Sequence, residues 1–162
     1  MTLDEFLHQI PKVELHAHLL GTVRQNTFTE LVHRAKAPIT DQEITAFYTR
    51  GEKPVGVLRV LRALDAWLLR TPDDFHRLVY EYLQDAAAHQ VRYAEFCWNP
   101  TGTAREGGLP YGRALQGIRR AIADAERDLG ITGRLIAAID REAPPGDALE
   151  MVEWVLAEGG DE

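Results

Sequence analysis

The chain has 162 residues, of which 45% are hydrophobic and 27% charged, a composition typical of one folded domain. A complete eight-stranded α/β barrel takes about 250 residues, so the length is short for that fold. Eighteen basic against 25 acidic residues leave a formal charge of −7, which argues against nucleic-acid and anionic-membrane partners. The single cysteine excludes an internal disulfide. Without a secretory signal or a long apolar run, the chain is predicted to be cytoplasmic.

Hydrophobic periodicity, capping patterns and Gly/Pro breaks divide the chain into strands and helices. In chain order the predicted elements are a helix over 3–10, a strand over 12–20, helices over 25–37, 40–51, 55–70 and 73–89, a strand over 91–99, a loop over 101–110, a helix over 111–129, a strand over 131–141 and a helix over 147–158.

Helical crossovers between successive strands indicate an α/β fold with a parallel sheet. The apolar run 135–139 in the third strand is typical of a buried parallel strand. Three such strands could form an open sheet or part of a barrel, and periodicity alone leaves both open.

The histidines of His16-Ala17-His18 are the residues best suited to chemistry. Residues two apart on a strand face the same way, so both imidazoles converge, and neutral imidazole is a good ligand for zinc. The pair ends a strand just before a glycine, and in barrels that end is the catalytic face. Catalytic zinc needs about three protein ligands. On spacing alone, a metal site and an incidental pair remain equally open.

Residues 11–21, PKVELHAHLLG, closely resemble the first strand of the adenosine deaminase family in the amidohydrolase superfamily. The Gly-Glu-Lys-Pro segment at 51–54 and the Leu-rich helix after it resemble the family's helical roof over the nucleoside pocket. Residues 91–100 resemble its second strand. The likeness runs from residue 3 to about 158 and corresponds to the first half of a family member.

This resemblance implies the N-terminal portion of a zinc-bearing (β/α)8 TIM-type barrel with extra helices after strand 1. Residues 1–162 would form one partial domain that stops before strand 4. The implied activity is hydrolytic removal of the exocyclic amine of adenosine or a related purine, a small-molecule partner. An unclosed barrel also leaves strand edges exposed, which predicts self-association.

By the same resemblance, His16 and His18 would be the first two zinc ligands. The family's remaining ligands and proton-transfer groups lie later in its chain, so no catalytic residue is expected here. The residues expected to contact substrate are Leu20, Leu61, Leu64 and Asp140. Glu14 is expected to face the barrel interior with the histidines, and Glu95 to share a strand face with Cys97.

Leu20 stands where most adenosine deaminases have an acid that contacts the ribose 5′-hydroxyl. Leucine accepts no hydrogen bond, which predicts a substrate without a polar 5′ group, such as a 5′-apolar adenosine or free adenine. In the alternative, Leu20 packs beneath the pocket and the hydroxyl is bound elsewhere.

Two other functional classes stay open. An amidohydrolase of esters or cyclic amides would also carry His-x-His, although the Pro-Lys-Val-Glu-Leu lead-in favours a deaminase. A non-catalytic binding module or inactive fragment is the interpretation that the ligand count favours for the chain as given.

Overall fold

The three β-strands form a parallel sheet in the order β1-β2-β3, with β1 at Lys12–His18, β2 at Val91–Trp98 and β3 at Thr132–Ala137. The structure is a computed structural model that describes residues 1–49 and 57–159. The helices within those residues are α1 Leu3–Gln9, α2 Gln25–Ala35, α3 Asp41–Tyr48, α4 Val57–Ala63, α5 Pro72–Ala88, α6 Pro100–Arg105, α7 Tyr111–Leu129 and α8 Pro145–Glu158. A 3-10 turn, Leu19–Thr22, follows β1, and a π-helical turn, Leu64–Leu68, follows α4.

The predicted parallel sheet with helical crossovers is confirmed, and every predicted strand exists, although each is shorter than expected. Capping boxes at Thr2, Thr40 and Thr71 begin α1, α3 and α5, because each threonine accepts the N–H three residues on. Gly130, at φ 64°, ends α7 in the left-handed region that glycine adopts freely. The predicted roof segment 51–54 lies outside the described residues.

The predicted loop over 101–110 is wrong in its first half, where α6 lies. Asn99 begins this helix by accepting the Thr101 N–H at 3.0 Å, and Pro100 occupies the first helical position. A capping asparagine followed by proline is a helix start, and here it comes directly after β2.

The hydrophobic core lies on one side of the sheet, beneath α5 and α7. Ala94 and Phe96 of β2 are fully buried on that side, and Phe96 meets Tyr82 of α5 edge to face at 5.6 Å between ring centroids. At Gly117 of α7, an added Cβ would overlap the backbone carbonyl of Pro72. The two helices therefore touch backbone to backbone there.

The opposite side of the sheet is open in the described part of the chain. Val13 is 63% exposed, Leu15 58% and Ile136 46%. These are apolar side chains that a closed barrel would cover. Among residues 1–49 and 57–159, no helix combines the length and apolarity needed to cross a membrane.

The residues of strand β1 do not alternate strictly between the two faces of the sheet, because the strand contains a β-bulge. Glu14 pairs with Ala94 and Ala17 with Phe96, so two β1 residues, Leu15 and His16, lie opposite the single residue between those partners. The extra residue moves Glu14 to the helix side of the sheet. Of the apolar residues Val13, Leu15 and Ala17, only Ala17 is therefore buried.

Candidate metal centre

His16 and His18 lie together at the C-terminal end of β1. Their ring centroids are 5.1 Å apart with 71° between the ring planes, and both side chains are exposed. His18 pairs with Cys97, which pairs with Ile136, so these three residues share the open face of the sheet. The structure thus brings together the two imidazoles that were predicted to converge.

Among the described residues, the groups around this histidine pair add no further metal ligand. Cys97 donates its Sγ hydrogen to the Ala17 carbonyl at 3.3 Å, and Glu95 accepts the Tyr93 hydroxyl at 2.7 Å. Within the residues that the structure describes, no three His, Cys, Asp or Glu side chains are close enough to hold a metal. The two imidazoles fit zinc in chemical type, but they supply only part of its usual shell.

Glu14 does not accompany the histidines, and this prediction is wrong. The bulge directs its carboxylate to the helix side, where Tyr82 of α5 donates its hydroxyl to it at 2.7 Å. Burial and this carboxylate both raise the pKa of Tyr82, so the hydroxyl stays a donor at neutral pH. The bond ties the strand that carries the histidines to α5.

Leu20 lies in the Leu19–Thr22 turn, directly after the histidines. The Thr22 hydroxyl donates to the Leu19 carbonyl at 2.8 Å and closes the turn. Leu20 is half-buried and packs against the core, while Leu19 is fully buried. The place of Leu20 beside the histidines suits a contact with substrate, and its packing against the core equally suits a role beneath the pocket.

The two leucines expected in the pocket roof differ in burial. Leu61 of α4 is half-buried, but Leu64, at the start of the π-helical turn, is 0% exposed. A fully enclosed side chain offers no surface to a ligand, so the structure makes Leu64 a core residue. Of these two leucines, Leu61 remains a candidate for the roof.

Asp140 lies three residues beyond β3 and is exposed. Its carboxylate accepts the Glu142 N–H at 2.9 Å and so stabilises the turn before α8. The position is on the same edge of the sheet as His18, because parallel strands end together. Its substrate contact stays a prediction.

One partly buried acid near this edge was not foreseen. Burial raises the pKa of Asp65 to about 6, with Glu106 adding to the rise and a hydrogen bond from Thr103 opposing it. The two bonded residues are 38 positions apart in the chain, so no local pattern could reveal the contact. A histidine on a helix has a different environment from the strand pair: His76 of α5 contacts Asp124 of α7 at 2.8 Å.

Comparison with known proteins places this geometry in a family. The adenosine deaminase family model matches residues 11–158. The adenine deaminase of Stutzerimonas stutzeri is 32% identical over 157 residues, which are 95% of this chain and 49% of that protein. The adenine deaminase of Vibrio parahaemolyticus is 31% identical, with 95% and 46% covered.

Two solved structures are similar over nearly all of the chain. An amidohydrolase from Burkholderia ambifaria with bound zinc is 57% identical, with a TM-score of 0.94 over 100% of this chain and 45% of that one. The adenine deaminase from Arthrobacter aurescens is 30% identical, with a TM-score of 0.77 over 91% and 45%. The chain thus spans about half the length of the relatives it matches, and its fold is the N-terminal portion of a (β/α)8 amidohydrolase barrel. From the family match and these similarities together, the chain belongs to the adenosine deaminase family.

Proposed function

We propose that this chain supplies the first two zinc ligands, His16 and His18, of a purine deaminase. The observation that carries the proposal is the pair of exposed, adjacent imidazoles at the C-terminal end of the first barrel strand. The zinc in the similar Burkholderia ambifaria amidohydrolase supports it. Residues 1–162 would then form one partial barrel domain, and the remaining ligands would come from barrel strands outside it.

Zinc, when bound, lowers the pKa of a coordinated water toward about 7 and so makes hydroxide available at neutral pH. The contribution of this chain is to hold two imidazoles in place on a strand fixed from behind by the Glu14–Tyr82 hydrogen bond. The reaction replaces the exocyclic amine of the purine by oxygen and releases ammonia. Groups for the proton transfers would come from outside the described residues.

We further propose that the substrate is a purine without a polar 5′ group, with free adenine favoured. Leu20 lies next to the histidines and accepts no hydrogen bond. A hydrogen bond from a hydroxyl to a charged acceptor contributes about 1.5–3 kcal/mol, or roughly 10- to 150-fold in affinity. The relatives named adenine deaminase support the smaller substrate.

The test is ammonia release from adenine and from adenosine at equal concentration. It is measured for the 162-residue chain and for a chimera that joins residues 1–158 to the remaining barrel strands of the Burkholderia ambifaria amidohydrolase. Zinc-dependent turnover of adenine by the chimera, lost in His16→Ala, supports the proposal. A chimera that retains zinc and releases no ammonia from either substrate contradicts it.

Leu20→Asp in the same chimera tests the substrate preference separately. If Leu20 sets it, the ratio of kcat/KM for adenosine to that for adenine rises about tenfold or more, as a new charged acceptor predicts. A change under about threefold, less than 1 kcal/mol of differential transition-state binding, shows that Leu20 only packs beneath the pocket.

A non-catalytic binding module is the second candidate for the chain alone. The observation in its favour is that the described residues bring no third metal-ligating side chain to the histidine pair. It predicts that the 162-residue chain, unlike the chimera, retains little zinc after dialysis and releases no ammonia.

A further inference from the structure

A hydrogen-bonded chain of three side chains links the end of β2 to the π-helical turn. The indole N–H of Trp98 donates to the Thr103 hydroxyl at 3.3 Å, and that hydroxyl donates to the Asp65 carboxylate at 2.6 Å. Trp98 and Thr103 are both buried, at 2% and 0% exposure. The hydroxyl's single hydrogen is therefore committed to Asp65.

The chain segments around this contact approach each other closely. A Cβ at Gly102 would lie 2.8 Å from the Asp65 carboxylate, and a Cβ at Gly107 would lie 2.6 Å from the Asp65 carbonyl oxygen. Arg70 donates to the carbonyls of both Ala66 and Gly107, so it bridges the turn to the segment after α6. The π-helical turn and the α6 segment are thus joined at several points, in a space that admits no side chain at either glycine.

The surroundings of Asp65 disfavour its charge, and the Thr103 hydrogen bond offsets part of that cost. Asp65 lies partly buried, near the carboxylate of Glu106, and both features disfavour its charge. Arg70 and Arg34 both donate to backbone carbonyls of the turn. Arg34 is also paired with Asp74 at 2.7 Å. In the part of the chain that the structure describes, no ion pair includes the Asp65 carboxylate, which accepts the hydrogen bond from the Thr103 hydroxyl.

The turn that Asp65 fixes continues α4, which carries Leu61 and packs against the Leu19–Thr22 turn beside the histidines. α6 begins at the C-terminal end of β2, on the edge of the sheet where His18 lies. Single π-helical turns are frequently found at functional sites. The Asp65–Thr103 contact therefore joins α4, which packs against the Leu19–Thr22 turn, to the C-terminal end of β2.

We infer that Asp65 is a positioning residue of the purine site: bound to Thr103, it holds α4 and Leu61 over the C-terminal edge of the sheet. This inference rests on the proposed function for its substrate, but the geometry of the contact does not depend on it. Asp65 acts through α4 and touches no reacting atom.

Amide hydrogen exchange in the 162-residue chain tests the contact without any activity. Thr103→Val removes the donor at constant shape, Thr103→Ser restores it, and Thr132→Val is the control on β3. We expect exchange of the amides over 60–68 to accelerate about tenfold in Thr103→Val, as loss of one hydrogen bond predicts, with both other variants near wild type. Unchanged exchange over 60–68, or equal acceleration in α7, overturns the inference.

A spectroscopic titration tests Asp65 itself. In the wild-type chain the Trp98 indole N–H resonance should shift with a midpoint near pH 6, because Thr103 relays the charge of Asp65. The shift should vanish in Asp65→Asn and persist in Asp128→Asn, an exposed aspartate on α7. A titration that survives Asp65→Asn overturns the assignment.

Kinetics of the zinc-loaded chimera connect the contact to substrate. Thr103→Val should raise KM for adenine about fivefold to tenfold with kcat within about threefold, and Thr103→Ser should restore KM. A fall in kcat at constant KM overturns a role in holding the roof. If the wild-type chimera turns over no purine, the proposed function fails, and the exchange and titration results still decide whether Asp65 fixes α4.

Discussion

Gly117 of α7 is a position where a substitution that normally stabilises a helix should do the reverse. Alanine is favoured over glycine in a helix interior by about 1 kcal/mol. At Gly117, however, the new Cβ would meet the Pro72 carbonyl well inside 3.0 Å, a separation that real Cβ atoms essentially never show. The obstacle is backbone in the first turn of α5, which cannot rotate aside, so α5 and α7 must separate.

Overpacking of this kind costs about 1–3 kcal/mol, and a backbone obstacle belongs at the upper end. After subtracting about 1 kcal/mol for helix propensity, Gly117→Ala should lower the free energy of unfolding by about 2 kcal/mol. For a chain of this size that is a fall of roughly 4–8 °C in Tm. Urea unfolding followed by circular dichroism at 222 nm measures the change.

Gly112→Ala is the matched control, because it makes the same substitution in the same helix. There the new Cβ meets only the carboxylate end of Glu158, an exposed and flexible side chain that can move away. Gly112→Ala should be neutral or stabilising by up to about 1 kcal/mol. If Gly117→Ala is as stable as wild type, or if both variants lose stability equally, the backbone contact does not limit the packing of α5 on α7.

Three further outcomes are expected. His16→Ala and His18→Ala should each empty the zinc site of the chimera, as measured by metal analysis after dialysis, whereas His33→Ala should leave it full. A double variant, His16→Ala with His18→Ala, that still holds zinc contradicts the ligand assignment. The pKa of Asp65, raised to about 6, lies above that of an unfolded aspartate, so protonated Asp65 contributes most to stability at low pH, and the free energy of unfolding falls as pH rises from about 4 to 6. In urea titrations, the free energy of unfolding of Asp65→Asn should therefore rise by about 1–3 kcal/mol relative to wild type between pH 4 and 7.5. A difference between the two proteins that does not change with pH refutes this. The open face, with exposed Val13, should make the 162-residue chain self-associate in sedimentation velocity, and a monomer that unfolds cooperatively argues against it.

Elements with strong local signals were predictable from the sequence. The α7 helix was expected over 111–129 and is found there, because its apolar stripe and the Gly130 stop are local features. The convergence of His16 and His18 followed from strand geometry alone. The family resemblance added the barrel, which periodicity could not distinguish from an open sheet.

What could not be predicted depends on contacts between distant residues. The β1 bulge exists only in the pairing with β2, so the sequence alone places Glu14 on the wrong side of the sheet. Asn99 and Pro100 are a local signal for the start of α6, but the glycines that follow them favour a loop in the sequence pattern. Those glycines serve close approach instead, since Gly102 and Gly107 admit the Asp65 turn. The burial of Leu64 likewise depends on how several helices pack together.

The β1 bulge has a consequence for how the chain reaches its native register during folding. In an even strand, a slip of one residue exchanges the two faces and would send both histidines into the helix layer. Here such a slip would also displace the bulge from its partner and separate the Glu14 carboxylate from the Tyr82 hydroxyl, leaving polar groups buried without a partner. A mispaired sheet is thus penalised at the same strand that presents the metal ligands, so the correct alignment of β1 on β2 and the correct presentation of His16 and His18 are selected together.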